Sequence, residues 1–81
     1  MVDFHISGRI EPVAPNRYTA RVVAMPAGSA AGIEPAREME QSSATWQDAA
    51  MHLKRLAVAM GARLRSEGHG VLNVDVQEAQ A

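Results

Sequence analysis

Across residues 45–68, apolar side chains recur at alternating steps of four and three. Trp46, Ala50, Leu53, Ala57, Met60 and Leu64 carry the pattern, and Ala49 and Leu56 widen it. That period lays one apolar stripe along an α-helix for about six turns. Thr45 is placed as its N-cap, Asp48 three residues on can answer it as a weak capping box, and Gly68 can take the left-handed conformation that stops it. Before and after this segment the period falls to two. Val2, Phe4, Ile6 and Ile10 alternate with Asp3, His5, Ser7 and Arg9, the pattern of a strand with one buried face. Gly8 sits in the apolar register, where it marks either a bulge or a place where another side chain packs on bare backbone. Residues 11–16, EPVAPN, read as a turn. Residues 17–25 follow as a second strand, with Tyr18, Ala20, Val22 and Ala24 on one face and Thr19, Arg21, Val23 and Met25 on the other.

The remaining segments are less regular. Residues 26–35, PAGSAAGIEP, are small and proline-bounded, and a mobile connection is expected there. Residues 36–43, AREMEQSS, favour a helix by propensity but show no apolar helical face. As a strand they set Arg37, Met39 and Gln41 against Ala36, Glu38 and Glu40, which suits a charged sheet edge. After Gly68, His69 and Gly70, residues 71–77 alternate Leu72, Val74 and Val76 against Asn73 and Asp75 as a last strand, and residues 78–81 form a frayed tail. The order is β-β-β-α-β, an α+β class. One amphipathic helix packed on a small, mainly antiparallel sheet is the two-layer arrangement that buries every apolar stripe. The last strand should run parallel to the third and, if the first three form a meander, to the first. Its neighbour is left open.

Length and composition narrow the picture. Eighty-one residues form a single domain, 1–81, with a small core. Phe4, Tyr18 and Trp46 are the only rings besides histidine, and the absence of cysteine excludes disulfides and thiolate metal sites and fits a reducing cytoplasm. No apolar run is long enough for a membrane span, and the first residues lack the apolar run of a signal peptide.

Eight basic residues stand against nine acidic ones, which disfavours nucleic-acid binding by bulk charge. The helix is nevertheless basic, with Lys54, Arg55, Arg63 and Arg65 against Asp48 alone. The plain reading is a solvated outer face whose last cations favour the helix dipole. The functional reading is an RNA-binding surface, with Arg17 and Arg21 added from the sheet. Candidate chemistry is sparse. His5, His52 and His69 share no ligand spacing, and Glu38 with Glu40 form a carboxylate pair that edge solubility explains equally well. Ser42 and Ser43 suit turns or caps, Met39, Met51 and Met60 suit a core or interface, and Gly28 with Gly32 make no phosphate-binding fingerprint. No enzyme, cofactor or metal is expected. Trp46 either seals one end of the core or anchors a partner.

The pairing of YTARVVAMPAG with the later SATWQDAAMHLKRLAVAM resembles the HicB-like antitoxin domain family. Members show a strand ending near proline and glycine, a short strand, and a Gly-x-Thr-x-x-Glu-Ala signature opening a helix. Here Thr45 stands for the threonine, Asp48 and Ala49 for the acidic residue and alanine, and Ser43 replaces the glycine. The resemblance covers residues 18–64. It implies a small sheet with one helix, related in shape to double-stranded-RNA-binding domains and a reduced ribonuclease H fold, without catalytic residues. Its partner would be another protein, a small HicA-like RNA-cleaving toxin in the best-known members. The separate C-terminal DNA-binding domain of many members has no counterpart in these residues, so autorepression is not expected. The leading expectation is therefore a non-catalytic cytoplasmic interaction module, self-associating through a strand edge as a homodimer, with partner contacts from Trp46, Lys54, Arg55, Arg63 and Arg65. The alternative is an RNA-binding module using the basic helix face.

Overall fold

The two hydrophobic periods become two layers. A computed structural model of the chain describes residues 2–28 and 32–77. Its elements are β1 (Asp3–Ala14), β2 (Arg17–Pro26), β3 (Arg37–Ser43), α1 (Trp46–Ser66) and β4 (Gly70–Gln77), in one four-stranded sheet of order β3-β2-β1-β4. The first three strands form an antiparallel meander, and β4 lies parallel to β1. The expected α+β architecture is what the chain adopts, and residues 37–43 take the strand rather than the helix. The expected tail 78–81, and residues 29–31 of the irregular connection, lie outside the described residues.

Thr45 caps α1 by accepting the Asp48 backbone N–H at 3.1 Å. The far end closes as a Schellman motif. Gly68 has φ 86°, its N–H donates to the Arg65 carbonyl, and the His69 N–H donates to that of Leu64. The same corner seals the core, because the His69 ring meets Phe4 edge-on at 5.1 Å and the Arg37 guanidinium lies 5.7 Å from the Phe4 centroid. Arg37 also pairs with Glu67.

Phe4, Ile6, Ala20, Val22 and Ala24 from the two central strands meet Leu53, Ala57, Met60 and Leu64 from α1 in a fully buried cluster. Gly8 resolves in favour of close packing. A β-carbon there would stand 2.9 Å from Leu53 Cδ1, 3.2 Å from Val22 Cγ2 and 3.4 Å from the Arg21 carbonyl oxygen. The helix rests on this bare patch of β1.

Two local expectations are corrected. The six-residue turn shrinks to Pro15 and Asn16, with Asn16 at φ 59°, because β1 continues through Pro12. Pairing between β1 and β4 ends at Arg9, so the Pro12 nitrogen faces no strand on that side and its missing N–H interrupts no ladder there. Second, the parallel ladder shifts between Phe4, paired with Val71, and His5, paired with Asn73, which leaves Leu72 as the extra residue of a bulge. Trp46, for which a core seal and a partner anchor both stand open, is half-buried, and its Nε1 is sequestered without a hydrogen-bond partner.

Gly8→Val is expected to destabilise the domain by about 1–3 kcal/mol, because buried Leu53 has no room to retreat; urea denaturation with an unchanged m-value would show it. Trp46→Ala is expected to cost about 2 kcal/mol, below the roughly 3–5 kcal/mol of a fully buried ring, measured in the same way.

Candidate functional site

Alternation that sends Phe4, Ile6, Val22 and Ala24 to the helix sends the intervening residues to the opposite face, which no described element covers. Cross-strand register arranges that face in rows. Glu38, Val23, Ser7 and Asp75 form one, from β3 across to β4; Glu40, Arg21, Arg9 and Gln77 form the next. Met25, His5 and Asn73 lie to one side, Ser42, Thr19 and Glu11 to the other.

The arginine row is the electrostatic centre. Arg9 and Arg21 are directly opposite each other, a pairing that repels unless carboxylates intervene. Glu11 supplies one to both, at 2.9 Å from Arg9 Nε and 3.8 Å from Arg21 Nη1. On its other side Arg21 donates to Glu40 at 3.1 Å and lies 3.7 Å from Glu38. The Glu40 hydrogen bond first, then the charges of Glu11 and Glu38, push the Arg21 pKa up from its ordinary value, so it stays cationic at any working pH. Glu38 and Glu40 share a face as expected, and Arg21 explains why they can.

The neighbouring row is different. Ser7 and Val23 are short, so the sheet sinks into a concavity of about 410 Å³ lined also by Gly8, Arg9, Arg21, Glu38, Asp75 and Gln77. Carboxylates stand at both ends. Glu38 is drawn toward Arg21, whereas Asp75 makes no ion pair among the described residues. Glu11, Glu38, Glu40 and Asp75 outnumber Arg9 and Arg21, and Asp3 and Arg17 cancel at the ends of the face. The open face is therefore net acidic.

The basic residues of α1 do not gather into one patch. At about 100° per residue, Lys54 and Arg65 share one flank, Arg55 points away from the sheet, and Arg63 lies on the opposite flank, 3.8 Å from Glu67, which pairs with Arg37 of β3. Trp46 lies at the N-terminal end, a turn or more from all four cations. Nor do the histidines converge. His5 Nδ1 meets Asn73 Oδ1 on the open face, His52 is on the helix, and His69 closes the core. Among the described residues no group of three or more His, Cys, Asp or Glu is placed to hold a metal ion, and no helix is long and apolar enough to cross a membrane.

Ser7, Arg9 and Asp75 were not singled out from sequence as site residues. The available signal was the charge at polar positions of all four strands, which becomes a surface only once the strand order is known.

Arg21→Gln is expected to lower the melting temperature, because three glutamates lose their shared cation and face one another. The loss narrows in about 1 M salt, where screening is strong; thermal melts across a salt series check it. No protein-family model, curated protein or solved structure matches the chain.

Proposed function

We propose that the chain is a non-catalytic protein-interaction module that binds a small basic protein on the open face of its sheet, in the manner of a HicB-like antitoxin domain masking its toxin. The observation that carries this reading is the uncovered, net-acidic face with its concavity between Glu38 and Asp75. Asp75, without an ion pair of its own, is suited to receive a lysine or arginine, and the Arg9–Glu11–Arg21–Glu40 array gives the surface a fixed charge pattern. The β-β-β-α-β order agrees with the fold that the resemblance implies. Burying such a face against a partner would give the sheet the second covering layer that its single helix leaves out.

The test is affinity capture of the tagged chain from lysate of its own organism, with and without nuclease, alongside two variants. Ser7→Arg fills the concavity and opposes a basic partner at an exposed position. Lys54→Ala with Arg55→Ala removes helix charge. A small basic protein retained through nuclease by the wild type and the helix variant, and lost from Ser7→Arg at unchanged melting temperature, is the expected result. Retention abolished by nuclease and by the helix variant would overturn it in favour of RNA binding on the helix.

A further inference from the structure

The two edges of the sheet are chemically unlike. β3 is blunted by charge, and its full-overlap antiparallel pairing with a second copy, centred on Glu40, would set that glutamate against its own counterpart. β4, GVLNVDVQ, carries one charge in eight residues. Its outward backbone groups are unpaired by any described strand. On this edge, Val74 is 51% exposed and Leu72 is 55% exposed. Val74 shares a cross-strand row with buried Ile6, yet the helix does not reach far enough to cover it. Long, weakly charged, apolar edges of this kind are pairing sites.

We infer that β4 pairs antiparallel with β4 of a second copy of this chain, about a twofold axis through Val74, joining two sheets into one of eight strands. A twofold axis perpendicular to the sheet keeps each residue on its own face, so opposed residues must share a face. Two antiparallel registers overlap seven of the eight β4 residues. The one centred on Asn73 matches faces over residues 72–74 alone, because it opposes Asp75 of the open face to Val71, which the Leu72 bulge leaves on the helix side with the core, and Val76 of the helix side to Gly70. The register centred on Val74 sets Val74 against its copy and Leu72 against Val76, so faces match over residues 72–76 and only the terminal pair, Val71 with Gln77, falls on opposite faces and outside the paired segment.

That register also places Asn73 opposite Asp75 on the open face, twice by symmetry. The two groups are complementary. An amide oxygen only accepts, so in the His5–Asn73 contact the ring nitrogen donates and Asn73 Oδ1 is occupied. This leaves the Asn73 NH₂ to donate to the carboxylate of Asp75 in the second copy. The bulge at Leu72, the orientation of Asn73 by His5 and the unpaired Asp75 thus converge on one arrangement. It goes beyond the docking reading and does not block it, since the concavity lies on the open face and remains accessible in the paired sheet, but the two share the Asp75 carboxylate.

Sedimentation equilibrium of the untagged full chain tests the inference. A dimer with a dissociation constant on the order of 1–100 μM is expected for a strand-edge interface of modest area. Asn73→Asp, which opposes two carboxylates at each symmetric pair, weakens it about tenfold, whereas Asn73→Lys, which faces Asp75 with a cation, maintains or tightens it. Circular dichroism melts of the variants confirm that each folds. A chain that stays monomeric up to about 1 mM, above any dissociation constant expected of this interface, overturns the inference. So does a dimer that responds to both substitutions in the same direction. Val23→Arg, which fills the same concavity from β2 and does not face Asp75, leaves the dimer unchanged, so failure of docking and failure of pairing are read separately.

Discussion

The contact of Leu53 with the bare backbone at Gly8 sets how close the helix lies to the sheet, and most of the remaining structure follows from that height. Gly8 in β1, with Ala20 and Ala24 in β2, gives the central strands a low floor on which Leu53, Ala57 and Met60 settle without leaving space. A helix is about 10 Å across with its side chains, and strands repeat every 4.8 Å or so. One helix seated this closely covers about two strands well, and the sheet has four. The helix-facing residues of the outer strands are accordingly only partly covered: Met39 on β3 and Val76 on β4 pack against the rim of the core, and Val74 is half exposed.

The same geometry leaves the opposite face to solvent, and the chain manages it with charge. Two arginines opposite each other on adjacent central strands would repel if left alone. Glu11 bridges them, and Arg21 in turn holds Glu38 and Glu40, which would otherwise repel along β3. Each exposed pair contributes little by itself. Their joint effect is a fixed pattern, with compensated charge in one row and an acid-flanked hollow in the next. Such a pattern selects a partner more by excluding mismatched charge than by raw affinity. The two edges divide the remaining work: β3 repels a second strand, and β4 offers backbone and apolar surface.

Much of this was legible along the chain. The helix stands where its 3.6 period, Thr45 and Gly68 place it, to within a residue or two, because capping and periodicity act within one or two turns. The strands followed from alternation, including β3, where the lack of an apolar helical face outweighed helix propensity. Gly8 was marked as a bulge or a packing site, and only the position of Leu53 decided between them. The six-residue turn was overestimated because Pro12 counts against a strand only when another strand stands on its N–H side, and none does beyond Arg9.

What the sequence by itself determined is which residues belong to which face, since side-chain direction within a helix or strand is a local property of the backbone. What only the tertiary structure decided is which faces meet. The place of β4 beside β1, the bulge that leaves Leu72 unpaired, the gathering of Glu11, Glu38 and Glu40 around Arg21, and the dispersal of Lys54, Arg55, Arg63 and Arg65 around one helix all depend on partners up to nearly seventy residues apart. Those pairings are settled by burying the apolar stripe of α1 against β1 and β2 and by aligning backbone hydrogen bonds over the whole sheet, and no local pattern contains that information.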